Sequence, residues 1–365
     1  MDSGGPCKRR CSVARPSGPV TACRRLTRGQ RSIEGLVLSS STAGRASMGI
    51  EEDHPNPVRA HLQGLARQST QSLTGLTNWP AYWMARFLGR PITLRFRQGS
   101  SFPKATRDEA GTLLFLSANG VKFAPTGDPT QLTWGLDPRD RIITTPTGIR
   151  FHLPSADGVI LAETYLYDIH YAGDLRGKTV IDVGANVGDT ALYFAEQGAE
   201  VFAYEPDPTN FEGLRANLDL NPTLRPHIHP FPYAAGADGE VEFHVGLRGG
   251  SSMYETGGTV RRVKAVSLET ILGGRDRVHL LKADCKGAEH ELARQPAIGR
   301  FDHVAIEYYW IAPGLSAGET PLTALLARLR KQGFGRWRVF KHNAASTPLS
   351  QHGMLAADHD RTRVA

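Results

Sequence analysis

Val180-Ile181-Asp182-Val183-Gly184-Ala185-Asn186-Val187-Gly188-Asp189, with Glu205 downstream, is the stretch whose reading decides how this chain folds. Val180 to Val183 is an apolar run of strand length, and two glycines four residues apart follow it. Ala191, Phe194 and Ala195 then give a small apolar face at helical spacing, which Gly198 stops. Glu200 to Glu205 reads as the next strand and ends in a carboxylate 23 residues after Asp182. Strand, glycine turn, helix and acid-ended strand in this order make a nucleoside cradle.

Outward from the cradle the same alternation continues. Phe211, Leu214 and Leu218 mark a helix ending near Asn217–Asn221, and Ile228–Ala234 reads as a third strand. Val241–Val245 and Val260–Val266 look like a hairpin carrying Gly249-Gly250-Ser251-Ser252. Leu280–Asp284 and His303–Tyr309 are further core strands, and Leu322, Leu325, Leu326 and Leu329 form a helical stripe. Arg336–Lys341 and Met354–Ala357 are two late strands. Residues 151–365 therefore predict an α/β domain, a mostly parallel sheet covered by helices on both faces. Ligands of such sheets bind at the carboxyl ends of the strands.

Residues 48–150 predict a small α+β region. It has a helix over Trp79–Leu88 and extended segments at Ile92–Arg97, Leu113–Leu116, Gly120–Phe123 and Arg141–Thr144. Gly127-Asp128-Pro129 supplies a turn between them. Residues 1–47 hold nine basic and two acidic residues, which accounts for the whole net charge of +7. With few large apolar residues they predict a disordered tail, and Met48 just beyond suggests a start codon placed too far upstream. The remaining chain is formally neutral, so nucleic acid is not an expected partner. No apolar run approaches the length of a membrane span. Cys7, Cys11 and Cys23 lie in the tail and only Cys285 in the core, which suits a reducing cytoplasm. His227 and His229 share a strand face but lack an evident third ligand, so no metal site is expected.

The charges around the glycine turn choose the nucleoside. A dinucleotide motif carries a third glycine where Asn186 stands, and sets a pyrophosphate on the helix start. Here Asp182 and Asp189 flank the turn and would repel a pyrophosphate, whereas they attract the sulfonium and ammonium of S-adenosylmethionine. Glu205 stands where a carboxylate accepts ribose hydroxyls. Asp182, Gly184, Asn186, Gly188, Glu205 and Ala235 are the expected cofactor residues, with adenine near Ala234-Ala235-Gly236. Tyr204 or Phe211 could stack on it, although both fit a core position equally well.

Leu280-Leu281-Lys282-Ala283-Asp284-Cys285-Lys286-Gly287-Ala288-Glu289-His290 is the second informative stretch. Its strand end places Asp284 on the same sheet edge as Glu205, and Glu307 ends a neighbouring strand. Methyl transfer to a hydroxyl gains from positioning and from a general base. Asp284, Glu289 and Glu307 are the candidate catalytic residues. His290 reads more readily as a surface histidine, and Glu289 fits equally a helix first-turn acid.

Together Asp182-Val-Gly-Ala-Asn-Val-Gly188, Glu205-Pro206-Asp207-Pro208, Asn217, Ser267-Leu268-Glu269, Leu281 to Glu289 and Glu307 resemble the FkbM family of S-adenosylmethionine-dependent methyltransferases. The resemblance runs from about Glu163 through the strand ending near Tyr309. It implies a seven-stranded, Rossmann-like class I methyltransferase fold and O-methylation of a sugar, glycan or secondary-metabolite hydroxyl. It also implies a cofactor role for Asp182, Gly184 and Glu205, and an acceptor-side role for Asp284 and Glu289. Lys286 departs from the family, which usually carries an acid there; a lysine would favour an acidic acceptor. Two other functions compete. A dinucleotide-dependent oxidoreductase is opposed by Asn186 and its flanking acids, and a non-catalytic nucleoside-binding module draws its support from Lys286.

Overall fold

A computed structural model describes residues 70–365 except 126, 128–132, 171, 246–251, 255–257, 342–346 and 365. The expected tail, its three cysteines, Met48, the Asp128-Pro129 turn residues and the Gly249-Gly250-Ser251 tip lie outside the described residues. All the described residues belong to one compact unit.

The chain first builds α1 (Trp79–Phe87) and the antiparallel pair β1 (Ile92–Arg95) and β2 (Ser101–Ala105). α2 (Arg107–Ala118) follows, then a small sheet of β3 (Lys122–Ala124), β4 (Thr133–Asp137), β5 (Ile142–Thr144) and β6 (Arg150–His152), and then α3 (Gly158–Tyr165). Leu113–Leu116, expected to be extended, is instead the buried centre of α2. The reason is a capping box. The Thr106 hydroxyl accepts from Glu109 N, and Glu109 Oε2 accepts from Thr106 N at 2.7 Å, which satisfies two orphan amides and starts the helix. A continuous apolar run carries no period, so the cap settles what the run cannot. Glu109 is fully buried because Arg141 pairs with it.

The main sheet uses β7 (Thr179–Val183), α4 (Asp189–Glu196), β8 (Glu200–Tyr204), α5 (Pro208–Leu220) and β9 (Ile228–Phe231). The strand expected over Ile228–Ala234 ends at Phe231, and β10 (Ala234–Ala235) joins a separate small sheet with β11 (Gly239–Val245) and β12 (Thr259–Val266). β11 and β12 pair antiparallel from Gly239↔Ala265 to Val245↔Thr259, the hairpin expected. α6 (Leu268–Leu272), β13 (Val278–Ala283), α7 (Glu289–Leu292), β14 (Phe301–Tyr308), α8 (Pro321–Lys331), β15 (Phe334–Phe340) and β16 (Gly353–His359) complete it.

The seven-stranded sheet has the order β15-β16-β14-β13-β7-β8-β9. It is mixed: β16 pairs antiparallel with both its neighbours, and every other pairing is parallel. The strand order reverses between β7 and β13, which are neighbours although β8 and β9 intervene in the chain. Strand alternation divides the core. Val180, Val201, Ala203 and Leu280 pack under α4, α5 and the α2–α3 region. Ile181, Val183, Leu281, Ala283 and Ile306 pack against α6 and α8 on the other face. α5 also clips the small sheet in place. Asn217 Oδ1 accepts from His152 N at 2.9 Å, its Nδ2 donates to Val187 O at 2.9 Å, and Asn221 Nδ2 donates to Arg150 O at 2.8 Å.

Candidate active site

A pocket open to solvent lies at the carboxyl ends of β7 and β8, beside the strand-order reversal. Its wall comes from four turns: Gly184 and Asn186 after β7, Glu205 and Pro206 after β8, Tyr233 to Ala235 after β9, and Cys285, Lys286 and Ala288 after β13. Phe243 and Met253 of the hairpin close it.

The turn after β7 is left-handed at three positions: Gly184 at φ 75°, Asn186 at φ 47° and Gly188 at φ 86°. At Gly184 a second constraint applies, because a Cβ there would sit 1.9 Å from the carbonyl oxygen of Asp284. Gly188 is the N-cap of α4, and a Cβ on it would approach Leu214 Cγ of α5 at 3.2 Å. Asp189 is therefore the first helical residue. Its carboxyl is buried and accepts from the Thr164 hydroxyl at 2.9 Å. Burial pushes it up to about 7, with Lys282 and Thr164 working against the rise.

Glu205 is held by backbone. Its Oε2 accepts from Asn186 N and its Oε1 from Asp207 N, each at 2.8 Å. Burial raises it to about 7 in spite of those two donors. It faces the pocket next to Tyr204, whose ring stacks on Phe231 with centroids 4.9 Å apart. Phe231 in turn stacks on Tyr233, a wall residue, at 6.2 Å.

Asp182 has no face on this pocket, contrary to its expected contact with the ligand. The register shows why. Asp182 pairs with Lys282 across β7 and β13, on the face that α4 covers. There its Oδ1 lies 3.0 Å from Lys282 Nζ, and its Oδ2 accepts from the Thr190 hydroxyl at 2.7 Å. Lys282 also donates to Gly184 O at 2.8 Å, so this buried ion pair props the turn from behind. Burial disfavours the Lys282 charge, but Asp182, Asp284 and Asp189 outweigh it and hold the ammonium above its ordinary range. Gly188 likewise shapes the turn without lining the pocket, whereas Gly184, Asn186, Glu205 and Ala235 do line it. Phe211 is not among the wall residues.

The acceptor side is a network of side chains. Asp284 is the accessible acid, its side chain 28% exposed, with Oδ1 3.3 Å from Lys286 Nζ and 3.2 Å from the Tyr309 hydroxyl. Tyr309 donates to Glu307 Oε1 at 2.7 Å, and His352 Nε2 lies 3.1 Å from the same oxygen. The His352 and Tyr309 rings stack 4.8 Å apart, and Lys286 Nζ lies 3.9 Å over the Tyr309 ring while also bonding its hydroxyl. Glu307 is buried behind Tyr309. Glu289 is fully buried too, which corrects its expected place against the acceptor. It accepts from Gly287 N at 2.7 Å and Tyr309 N at 3.2 Å, so it pins the turn after β13 to the end of β14. Burial pushes it up to about 7. His290, expected at the surface, is buried with Nδ1 2.7 Å from Arg328, and burial and Arg328 lower it to about 4. His227 and His229 both engage Glu200.

Tyr309 and His352 were not singled out by the sequence. Tyr309 had a signal, because it stands two residues after Glu307 and strand alternation puts both on one face. His352 had none, since only the pairing of β16 with β14 brings it there.

A seven-stranded sheet with one reversed strand, and a pocket over a glycine turn and an acid-ended second strand, defines the class I methyltransferase arrangement. Residues 182–335 match the family model described as the methyltransferase FkbM domain, the family the sequence resembles. No curated protein matches the chain. Among solved structures, the methyltransferase FkbM from Methylobacillus flagellatus is 17% identical with a TM-score of 0.36. That alignment covers 49% of this chain and 43% of that one, so this chain spans less than half the length of that protein. A TehB-like SAM-dependent methyltransferase from Corynebacterium glutamicum is 12% identical (TM-score 0.30; 55% of this chain, 88% of that one). The precorrin-6y C5,15-methyltransferase from Geobacter metallireducens is 14% identical (TM-score 0.31; 55% and 86%).

Proposed function

We propose that this protein binds S-adenosylmethionine in the pocket over Gly184 and Glu205 and methylates a hydroxyl of a sugar, glycan or secondary metabolite in the cytoplasm. The observation that carries the reading is Glu205, a pocket-facing carboxylate fixed by two backbone amides, opposite an aromatic and apolar wall. Glu205 suits the ribose hydroxyls, and Tyr204, Tyr233, Phe243 and Met253 suit a flat adenine. The backbone of Gly184–Asn186 would hold the methionine portion. Bound S-adenosylmethionine supplies a methyl group carried on a cationic sulfur. A dinucleotide fits less well, because its pyrophosphate would meet Glu205, and Lys286, the cation among the described wall residues, is already paired with Asp284.

Asp284 is the acid that an acceptor can reach, and it takes the hydroxyl proton. Tyr309, held by Glu307 and stacked on His352, positions Asp284 and Lys286. With Lys286 paired to Asp284, the acidic-acceptor preference it suggested in the sequence loses its support, and a neutral hydroxyl fits the cluster better. Calorimetry of the full chain with S-adenosylmethionine and with NAD tests the reading. S-adenosylmethionine alone should bind, and Asp284→Asn should keep that affinity while slowing turnover by about 10²–10⁴-fold. Binding of NAD alone, or full turnover by Asp284→Asn, overturns it.

A further inference from the structure

Helix α1 is mounted the wrong way round for a water-facing helix. Tyr82 is its buried anchor, and the Trp83 indole donates to Ser72 Oγ at 2.8 Å. Asn78, its N-cap residue, grips one edge of β1 with both ends of its amide, donating to Thr93 O at 2.7 Å and accepting from Arg95 N at 3.0 Å. The helix is thus fixed in orientation, and the stripe it turns outward is apolar. Met84, Phe87 and Leu88 stand at i, i+3 and i+4 and are 66%, 90% and 53% exposed, with Ala81 exposed one turn earlier. Trp79 is exposed at the helix start. An ordinary surface helix shows the reverse pattern. α8 does: its exposed positions include Arg330 and Lys331, and its leucines are inside.

Basic side chains dominate the charge that flanks this stripe, and the exposed Asp108 follows directly after them. From Thr70 to Arg107 the chain carries six basic residues (Arg86, Arg90, Arg95, Arg97, Lys104 and Arg107) and no acidic one. All but Arg86 are exposed, and Arg86 lies over the Trp83 ring at 5.7 Å. The neutrality of residues 48–365 therefore hides a basic stretch between Arg86 and Arg107.

We propose that α1 and its basic flank dock this protein on an anionic phospholipid surface. The stripe supplies side chains that enter the boundary between headgroups and acyl chains, and the arginines meet the anionic headgroups. Aromatic residues at the end of such a helix suit that boundary. A polyanion such as RNA would use the arginines but leave the apolar stripe in water, which makes the bilayer the better fit. The helix has nine residues, about 13 Å at 1.5 Å per residue, and so lies on a membrane without crossing it.

The test is co-sedimentation of the full chain with vesicles of phosphatidylcholine, alone or with phosphatidylglycerol. Expected is binding that requires phosphatidylglycerol and weakens at high salt. Met84→Glu/Phe87→Glu should reduce it about tenfold or more with thermal unfolding unchanged, since both side chains are exposed. Arg90→Glu/Arg95→Glu should reduce it on anionic vesicles. No sedimentation overturns the proposal. So does equal binding by the Met84→Glu/Phe87→Glu variant, which would assign the affinity to basic residues elsewhere. Loss of a dimer in that variant, with vesicle binding unaffected, would assign the stripe to a second copy of the chain.

Discussion

The two halves of the pocket rim are built by different means. On the side of β7 and β8, backbone does the holding: Glu205 is ligated by two amides, and the Gly184 turn is propped from behind by Lys282 and Asp182. On the side of β13, β14 and β16, side chains hold side chains, through Asp284, Lys286, Tyr309, Glu307 and His352. A backbone-held group cannot be moved without remaking the fold. A side-chain network changes by single substitutions. The Glu205 side is thus fixed by folding, and the Asp284 side is open to change by single substitutions.

Four substitutions probe that division, the largest effect first. Gly184→Ala should cost more than about 4 kcal/mol, because its Cβ meets the Asp284 carbonyl and its φ is positive. Urea unfolding reads this, and an unchanged midpoint would break the claim that folding fixes the turn. Lys282→Met should cost about 3–5 kcal/mol by leaving Asp182 charged and buried without its cation. A stability within about 1 kcal/mol of the parent would show that the prop is dispensable.

Glu205→Gln should weaken S-adenosylmethionine binding by about 1.5–3 kcal/mol. Burial raises Glu205 to about 7, so below that pH it must lose a proton before it can accept two hydroxyls. Affinity of the parent should therefore strengthen as pH rises from 6 to 8, by up to about tenfold, and Glu205→Gln should flatten that dependence. If Asp284→Asn weakened binding equally, the two halves would not be separable.

The smallest effect concerns stability. Asp189, Glu205 and Glu289 are all raised to about 7 in the folded state. Unfolded, they titrate near 4, so between those values the folded state holds more protons. Their contribution is fully present below about pH 4 and is lost as pH rises through 7. Glu289→Gln should remove about 1 kcal/mol of the stability lost between pH 6 and 8. A pH-stability curve identical to the parent would show that Glu289 is ionised when folded.

The Glu205 side of the pocket was legible in the sequence because its parts are local. Gly184, Asn186, Glu205 and Ala235 lie within about 50 residues, and each follows the end of a strand that period and turn residues announce. The sequence misplaced Asp182 because a strand-end acid reads alike whether it faces ligand or lysine. Only the register of β7 against β13 tells the two apart. The acceptor half was half-visible. Asp284 and Glu307 stand at strand ends, but His352 arrives through an antiparallel pairing with no spacing to announce it. In the N-terminal region the Thr106–Glu109 cap outvoted an apolar run, and neither alternation nor composition shows which way α1 faces.

The contact between Gly184 and the Asp284 carbonyl bears on how related chains are read. That glycine is required by a neighbouring strand end, whether or not anything occupies the pocket. A descendant that had lost its chemistry would keep Gly184 for as long as it folded, and could shed Glu205 and Asp284 freely. The glycine turn is thus a marker of ancestry, and the two carboxylates are the markers of the proposed activity.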